Sequence, residues 1–455
     1  MRETTTAILG GGLTGLTLGH LLYQEGMKFQ ILEKGPECGG LLRSLQRGGF
    51  TFDYGGSHVI FSKDEEVLNF MLQLLRDNKI RNRRNTKIFY KGLYVKYPFE
   101  NGLGDLSTFD NFDCLNHFVQ ALVKREKGEL GKPQNLKEWF YYTFGKGISE
   151  RYLIPYNLKV WKFPLEKIGL EWVERVPSPP VEEVIKSSLG MRTEGYTHQL
   201  YFYYPKVNGI QSLIDSLRED IERHIALGFE VRKIRREDKK WIVSNGREER
   251  IYDLIISTIP IHELVDALDS SRHDASLQAA KSSLRFNSLI TVMIGINEPR
   301  INDLTWLYIP DNNVLPHRVS FPSNYSPCVS PEGKSSLLAE ITCHVGDEIW
   351  KMRDQELADL AVDDLDRLRI IEKEKTCFSE VRRTKYAYVV NDLTSKSNLR
   401  IISSFLGSSG IDSAGRFAEF RYLNMDGCIR SAMNFLRNEG RKVLISNEQP
   451  KSHDR

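Results

Sequence analysis

Hydrophobic and polar positions change their spacing several times along the chain. An apolar run at residues 5–9 precedes a glycine-rich turn, an amphipathic stretch and a second apolar run that ends in Glu33. This order predicts a strand, a tight turn, a helix and a second strand. From Leu106 to about Lys186 the apolar residues recur at helical spacing, which predicts a helical insertion.

The second half of the chain has the alternation that is typical of strands. Apolar runs occupy residues 228–234, 240–243 and 251–260, and the last of these predicts a buried strand that ends at a loop. Short alternating apolar runs continue from Phe286 to about Arg400, as expected for a mostly antiparallel sheet. Because no low-complexity linker separates these parts, we expect interleaved domains.

The first turn has the composition of a nucleotide-binding turn. Gly10, Gly12 and Gly15 form a G-x-G-x-x-G pattern between the first strand and its helix, and Glu33 ends the next strand. In such a unit the glycines permit the tight turn, the approach of a pyrophosphate and close helix–strand packing, while the acid accepts hydrogen bonds from ribose. We therefore favour dinucleotide binding over a purely structural glycine turn.

Composition limits the other functions. The 455 residues suggest two or three domains, and 63 Lys and Arg against 60 Asp and Glu give no overall charge for nucleic-acid binding. The six cysteines form no CxxC pair, so we expect neither a metal site nor a disulfide framework. MRETTT leads straight into the first strand, and no apolar stretch approaches the roughly 20 residues of a membrane helix. We expect a soluble, cytoplasmic protein.

A second glycine-rich segment favours FAD over NAD. After Glu33 come Gly39 and Gly40, then Arg43, then Gly55 and Gly56. This segment resembles the one that approaches the flavin in the FAD family of amine oxidases, protoporphyrinogen oxidase and UDP-galactopyranose mutase. Two unrelated surface glycine loops are the alternative interpretation.

Five longer motifs narrow the resemblance. They are GGSHVIFS, YPFENGL, IPYNLKVWKFP, WLYIPDNNVLPHRVSFPSNYSP and GRFAEFRYLNMDGCIRSAM. Together they resemble UDP-galactopyranose mutases, from the first strand to about Met433. The resemblance implies an α/β fold: a Rossmann-like FAD-binding domain with a helical insertion and a mostly antiparallel substrate domain. The boundaries that we expect are 1–95, 201–285 and 401–455 for the FAD-binding parts, 96–200 for the helical substrate or lid domain, and 286–400 for the sheet domain.

The resemblance also implies an unusual use of the cofactor. In that family reduced FAD acts through N5 as a nucleophile at the anomeric carbon of a nucleotide sugar, so that pyranose and furanose forms interconvert without net redox change. The expected protein is thus an isomerase that acts on a nucleotide sugar, with UDP-galactose as the first candidate and NADH or NADPH as possible reductants. The oligomeric state stays open, and a homo-oligomer is possible.

The site residues are carried over one by one from the matching motifs. His58, beside the flavin, and Arg318, on the substrate diphosphate, are expected in catalysis. Substrate binding is assigned to Tyr97, Asn157, Trp161, Tyr308, Arg318, Tyr388 and Tyr422. Cofactor binding is assigned to Gly10, Gly12, Gly15, Glu33, Gly39, Gly40, Arg43, Gly55, Gly56, His58, Val231, Arg416, Asn424 and Met425. For the isolated aromatic and histidine residues, core packing is the alternative.

The chain departs from the family pattern at several positions. Ile154 replaces a second diphosphate-binding arginine, and we hypothesise that Arg151, three residues earlier, compensates if the segment is helical. Residues 176–180 replace a segment that reaches the substrate, and Ser57 is an extra residue in the glycine-glycine-histidine motif. The segment 190–196 has the composition of a loop, either a moving lid or a static turn.

Two other functions remain open at this stage. A redox flavoenzyme of the amine oxidase or protoporphyrinogen oxidase type would share the FAD segments, but would not need an arginine and four tyrosines around a diphosphate. A non-catalytic flavin protein would bind FAD without turning over a nucleotide sugar. The Arg–Tyr set favours the mutase-like function over both.

Overall fold

The computed structural model describes residues 5–191, 193, 200–271 and 274–437, without the side chains of residues 174 and 175. Its strands are β1 (Thr5–Leu9), β2 (Lys28–Leu32), β3 (Ser44–Arg47), β4 (Phe50–Asp53), β5 (Ile80–Arg83), β6 (Thr86–Tyr90), β7 (Leu93–Lys96), β8 (Tyr201–Tyr204), β9 (Ile225–Ala226), β10 (Lys233–Glu237), β11 (Lys240–Ser244), β12 (Glu249–Tyr252), β13 (Leu254–Ser257), β14 (Arg285–Ile296), β15 (Trp306–Tyr308), β16 (Arg318–Ser320), β17 (Ser335–Cys343), β18 (Thr376–Val390) and β19 (Asp412–Ser413).

In chain order, most of the helices lie between strands. They are α1 (Leu13–Gln24), α2 (Glu65–Leu74), α3 (Thr108–Glu126), α4 (Leu136–Ile148), α5 (Ile154–Trp161), α6 (Val181–Ser188), α7 (Gln211–Arg218), α8 (Ile261–Ala267), α9 (Ala275–Ser283), α10 (Glu348–Lys351), α11 (Asp354–Arg367), α12 (Ser395–Ser409) and α13 (Met425–Phe435). A π-helical stretch at Ser149–Leu153 joins α4 to α5.

The first large sheet, the nucleotide sheet, has the strand order β19-β13-β1-β2-β9 and is parallel throughout. Its central strand β1 is an apolar run that is buried on both faces, as a parallel strand covered by helices requires. Helix α1 connects β1 to β2 and begins at the glycine-rich turn. The predicted Rossmann-like unit is therefore present.

Two predicted strands in this region differ from the observed ones. The run at 251–260 is divided between β12 and β13, and Asp253 at the break accepts a hydrogen bond from the backbone N–H of Thr5. The run at 228–234 becomes a strand only at Lys233, because the backbone of Gly228 and Phe229 is bonded instead to the carbonyls of Gly35 and Glu33. Local apolar patterns do not carry these long-range hydrogen bonds.

The second large sheet, the substrate sheet, has the order β18-β14-β17-β16-β15-β6-β7. It is antiparallel except for the parallel pair β15 and β6. The mostly antiparallel sheet of the predicted fold class is therefore present, while the domain boundaries stay a prediction. Strands β6 and β7 also join it, although they come from the part of the chain that we assigned to the first nucleotide-binding segment.

The helical insertion packs against the substrate sheet. Helices α3, α4 and α5 share a core with strand residues Ile88 and Val95 of β6 and β7. Helix α3 is capped by Ser107, whose side chain accepts from the N–H of Asp110, and α4 by Asn135 in the same manner. The predicted α/β fold class, with this helical insertion between the two sheets, is confirmed.

The helices of the described ranges are too short or too polar to span a bilayer. No group of three or more histidine, cysteine, aspartate or glutamate side chains in the same ranges is placed to hold a metal ion.

Gly15 provides a test of the packing between α1 and the turn. A Cβ at Gly15 would overlap the carbonyl oxygen of Gly10, which is backbone and has little room to move. We expect Gly15→Ala to lower the free energy of unfolding of the apoprotein by about 1–3 kcal/mol, as overpacking does. Urea denaturation measures this loss.

Gly407 is the matched control, because it also lies in a helix but a Cβ there meets nothing within 4 Å. Gly407→Ala should leave stability unchanged or raise it by up to about 1 kcal/mol, since alanine favours the helix. Equal unfolding free energies for Gly15→Ala and the unaltered protein would contradict the packing argument.

Candidate active site

A large cavity connects the two sheets. Its volume is about 900 Å³, and it runs from the glycine turn of β1 and α1, past the substrate sheet, to helix α5. The size is that of a site for a large ligand. Most of the site residues predicted from the sequence line this cavity, as the following paragraphs describe.

The end of the cavity at the nucleotide sheet is built from bare backbone and one carboxylate. Gly10 and Gly12 line it, and a Cβ at Gly12 would meet nothing within 4 Å. The Glu33 carboxylate lies beside the turn, where it accepts hydrogen bonds of 2.7 Å from the backbone N–H groups of Gly11 and Gly35. These bonds hold the acid at the carboxyl end of β2, where a parallel sheet binds its ligand.

The second glycine-rich segment closes over the same end. Gly39, Gly40, Gly55 and Gly56 all line the cavity, and the N–H of Gly39 donates to the Gly11 carbonyl. Val231 lines the opposite wall from the segment that precedes β10. The segment thus adds a second glycine surface to the first.

Two residues assigned to the cofactor lie outside the cavity wall. Gly15 faces the Gly10 carbonyl, so its role is helix–strand packing. Arg43 forms an ion pair with Glu37, and its guanidinium carbon lies 5.5 Å from the Tyr54 ring. The structure therefore does not bring the charge of Arg43 to the cavity.

The middle of the cavity contains His58 and Arg416. Arg416 donates to the backbone carbonyls of Leu423 and Ala387, at 2.9 and 2.6 Å, which fixes the start of α13 with Asn424 and Met425 at the wall. Burial, followed by the positive charges of Arg416 and Arg318, lowers the pKa of His58 to about 4. His58 is thus a neutral imidazole at pH 7.

Arg318 is held by a buried carboxylate on the neighbouring strand. Its Nη2 lies 2.8 and 2.6 Å from the two oxygens of Glu340, which has no exposed surface. Burial alone would lower the pKa of Arg318, but the Glu340 charge, together with Tyr388, Tyr308 and the hydrogen bond to Glu340, keeps that pKa above its ordinary value. The backbone N–H of Ser57 also donates to Glu340, at 3.0 Å. Arg318 is a permanent, oriented cation.

The extra residue in the glycine-glycine-histidine motif, Ser57, has a clear structural role. Besides its bond to Glu340, its hydroxyl accepts from the Trp306 indole at 3.1 Å and lies 3.2 Å from the Tyr325 hydroxyl. Ser57 therefore connects the loop of residues 55–58 to the substrate sheet.

Tyrosines surround Arg318, and we call five of them the tyrosine cluster: Tyr97, Tyr156, Tyr308, Tyr388 and Tyr422. Tyr308 is the cross-strand partner of Arg318, and its ring centroid lies 5.2 Å from that of Tyr97 and 5.4 Å from that of Tyr156. Burial raises the pKa of Tyr388 and Tyr156, so both are phenols that donate hydrogen bonds.

Asn157 and Trp161 act as a pair on α5. Asn157 lines the cavity, while Trp161 is buried behind it and donates from its indole to the Asn157 side-chain oxygen at 3.0 Å. The Asn157 amide also donates to the Leu153 carbonyl at 2.8 Å. The structure therefore brings Asn157 to the site, and makes Trp161 its support and not a wall residue.

The hypothesis that Arg151 replaces the missing arginine at Ile154 is wrong. The Arg151 guanidinium pairs with Asp110 at 2.9 Å and with Asp113 at 2.5 Å, both on α3, and it does not line the cavity. Two carboxylates within reach on a packed helix hold it away from the site. In the substituted segment 176–180, Val176 and Pro177 do reach the cavity wall. Within 190–196, residues 192 and 194–196 lie outside the described residues, so the lid prediction stays untested.

The sequence reasoning missed several wall residues. Arg84 lines the cavity with its guanidinium carbon 5.2 Å from the Tyr97 ring, and Trp172 lies edge-on to Tyr422 at 4.7 Å. Tyr156 belongs to the motif IPYNLKVWKFP, from which only Asn157 and Trp161 were predicted as site residues. Glu340 carried the clearest overlooked signal, because it is the one charged residue in the apolar run SSLLAEITC and a buried strand must pair such a charge.

Glu100 is a second overlooked acid, in an environment unlike that of Glu340. It lines the cavity near Tyr152 with 1% of its surface exposed, and its Oε1 has no hydrogen-bond partner among the described residues. Burial raises the pKa of the Glu100 carboxyl to about 8. At pH 7 this group is a neutral acid that offers one donor and one acceptor.

The cavity fits an FAD molecule on three observations. The glycine turn leaves room for a pyrophosphate, and Glu33 is placed for ribose hydroxyls. Buried nitrogens of His58 (Nδ1) and Arg416 (Nε) lack protein partners among the described residues, as expected beside a polar ligand. The fold and the site define a dinucleotide-binding flavoprotein with a second, cationic site in the same cavity.

Comparison with known families agrees with this class. The model of the flavin-containing amine oxidoreductase family matches residues 13–434, and the chain belongs to that family. FAD is accordingly its cofactor.

The chain is similar to individual UDP-galactopyranose mutases. A UDP-galactopyranose mutase of Mycoplasma pneumoniae is 24% identical over 172 residues, which are 37% of this chain and 43% of that protein. A probable UDP-galactopyranose mutase of Klebsiella pneumoniae is 24% identical over 182 residues, 39% of this chain and 46% of that protein. The matched segments thus span less than half the length of these curated relatives.

Solved structures cover the chain more fully. A crystal structure of reduced UDP-galactopyranose mutase superposes with a TM-score of 0.88 at 25% identity, and covers 98% of this chain and 96% of that one. A putative protoporphyrinogen oxidase from Exiguobacterium sp. 255-15, with a TM-score of 0.76 at 17% identity over 97% of this chain and all of that one, shows the shared fold alone. The resemblance to UDP-galactopyranose mutases predicted from the motifs is confirmed.

The raised pKa of Glu100 predicts a pH dependence of stability. Between its ordinary pKa near 4.5 and about 8, the folded protein keeps a proton that the unfolded chain releases. Stability therefore falls as pH rises through this window, by at most about 1.4 kcal/mol per pH unit from this group. We expect Glu100→Gln to flatten the fall, measured by urea denaturation at pH 5.5 and pH 8.

Glu126→Gln, at the exposed end of α3, is the control and should keep the wild-type slope. If Glu100→Gln kept that slope as well, the neutral-acid assignment of Glu100 would be wrong.

Proposed function

We propose that the protein is a UDP-galactopyranose mutase-like isomerase that interconverts the pyranose and furanose forms of a nucleotide sugar, with UDP-galactose as the first substrate to test. The observation that carries the proposal is Arg318 with its tyrosine cluster in the same cavity as the glycine turn and His58. A cation among phenol donors is suited to a diphosphate. The similarity to a solved UDP-galactopyranose mutase supports the same assignment.

The division of labour in the cavity follows from its residues. Reduced FAD, when bound, would supply a nucleophilic nitrogen, N5, for the anomeric carbon of the sugar. The glycine turn and Glu33 would hold its pyrophosphate and ribose, while Arg416 fixes the wall at the start of α13. His58 can donate or accept one hydrogen bond at this position without adding charge.

Arg318 is suited to hold the substrate diphosphate while the sugar reacts. Glu340 occupies only Nη2, and Nε has no partner among the described residues, so donors remain for phosphate oxygens. Tyr308 and Tyr388 flank it with further hydroxyl groups. Arg84, whose guanidinium carbon lies 5.2 Å from the Tyr97 ring, is our candidate for the charge that Ile154 does not provide.

Substrate turnover tests the proposal directly. The FAD-loaded protein is reduced with dithionite under anaerobic conditions, UDP-galactose or UDP-galactofuranose is added, and the products are separated by chromatography. We expect interconversion by the reduced protein and none by the oxidised protein, since N5 is nucleophilic only in the reduced flavin. NADH and NADPH are then compared as reductants.

The competing functions give different results in the same experiment. Full activity with oxidised flavin under exclusion of reductant would contradict the mechanism. Oxidation of an amine or a porphyrinogen, with no binding of UDP, would favour the redox alternative of the amine oxidase or protoporphyrinogen oxidase type. UDP binding without turnover of UDP-galactose would direct the search to other nucleotide sugars.

A conservative change at Arg318 tests the diphosphate site. Arg318→Ala would leave Glu340 buried without its partner, which destabilises proteins by roughly 3–5 kcal/mol, so it would confuse stability with binding. Arg318→Lys keeps the charge but loses the planar set of donors. We expect the affinity for UDP, measured by titration calorimetry, to weaken by about 1.5–3 kcal/mol with the FAD content unchanged.

Arg47→Lys is the matched control, because Arg47 is a largely exposed arginine that also faces a glutamate, Glu380. It should bind UDP like the unaltered protein. Unchanged UDP affinity in Arg318→Lys would remove Arg318 from the proposed site.

A further inference from the structure

Lys159 is a buried lysine that lies outside the cavity wall. It lies on α5 with 4% of its surface exposed, between Asn157 and Val160, which both line the cavity. Its ammonium does not reach the cavity. It points instead at the segment of residues 309–317, which we call the connecting loop.

All three ammonium hydrogens of Lys159 have acceptors in this loop. The Nζ atom lies 3.1 Å from the carbonyl oxygen of Ile309, 2.6 Å from that of Asp311 and 2.8 Å from that of Pro316. An ammonium has three donors, so the match is complete. Among the described residues no carboxylate oxygen lies within ion-pair distance of Lys159, so its direct partners are the three backbone carbonyls. Burial and the charge of Lys162 lower the pKa of Lys159 to about 7, and the more distant charges of Asp311 and Asp364 oppose this shift.

The loop joins the two strands that carry the proposed diphosphate ligands. Tyr308 is the last residue of β15 and Arg318 the first of β16, so one residue of the site stands at each end of the loop. The backbone N–H of Ile309 also donates to the His317 carbonyl at 2.9 Å. Lys159 therefore bonds to both ends of the loop and to its interior.

We propose that Lys159 is a positioning residue, which holds Tyr308 and Arg318 at the spacing that a nucleoside diphosphate requires and couples them to α5. The inference rests on the proposed function, because it concerns ligands of that same site. The contacts carry it: helix α5 presents Tyr156 and Asn157 to the cavity on one side and Lys159 to the loop on another. Movement of the loop would separate these two sets of side chains.

Two other features of the loop agree with a held geometry. The Asp364 carboxylate accepts from the N–H of Leu315 at 2.6 Å, so the outer side of the loop is anchored to α11. His317, the last residue of the loop, is buried, and burial together with the charges of Arg318 and Lys159 lowers its pKa well below the ordinary value. A neutral His317 leaves Arg318 as the cation that faces the cavity from this hairpin.

Lys159→Met tests the inference, because methionine fills similar space without donors. We expect the dissociation constant for UDP, and KM for the nucleotide sugar, to rise by about tenfold or more, with FAD content unchanged and kcat reduced less than KM is raised. Hydrogen–deuterium exchange of residues 309–317 should become faster. Lys159→Arg, which retains charge and donors, should recover part of the affinity.

Lys162→Met is the matched control, since Lys162 lies on the same segment but is exposed. It should leave the UDP affinity and the loop exchange unchanged. If Lys159→Met does not accumulate as folded protein, Lys159→Gln, which still donates two hydrogens, enters the same measurements.

A double variant separates positioning from general stability. If Lys159 acts through Arg318, the loss of UDP affinity in Lys159→Met with Arg318→Lys should be close to that of one single variant, not the product of both. Multiplied losses, or a lower melting temperature with wild-type UDP affinity, would overturn the inference. Absence of UDP binding in the unaltered protein would instead refute the proposed function, and unchanged exchange of residues 309–317 in Lys159→Met would refute the positioning role independently.

Discussion

The buried ion pair between Arg318 and Glu340 is the interaction on which the candidate site depends. A carboxylate without exposed surface is costly unless it is paired and bonded, and Glu340 satisfies this through Arg318 and the backbone of Ser57. The same contacts join the loop beside the flavin position to the substrate sheet. The pair therefore fixes the cation at one place relative to both halves of the cavity.

Several titratable groups around this cation are held in their uncharged forms. His58 and His317 are held neutral by burial and by nearby positive charges, and the buried tyrosines remain phenols. Glu100 is a neutral acid for the same reason of burial. Burial thus disfavours the charged forms of these side chains in the cavity wall.

Local pattern predicted much of the fold because the glycine turn, the buried parallel strands and the helical insertion each have a short-range signal. It predicted less where partners are distant in sequence. The strand at 251–260 is divided because Asp253 bonds to Thr5, and β6 and β7 join the substrate sheet because β6 pairs with β15 more than 200 residues later. The prediction that Arg151 replaces the arginine missing at Ile154 was wrong for a similar reason, since its partners Asp110 and Asp113 are on another helix.

The sequence by itself determined the nucleotide-binding unit, the α/β class and the residue types of the site. Glycine spacing, apolar periodicity and short sequence motifs are local properties, so they can be identified without the fold. Only the tertiary structure decided which of these residues share the cavity. It places Arg43, Gly15 and Trp161 outside the cavity wall. It also reveals the buried acid Glu100 in the wall, and Glu340 and Lys159, whose partners lie on other elements. The physical reason is burial, since the free energy of a charge or an amide depends on neighbours that only the folded chain brings together.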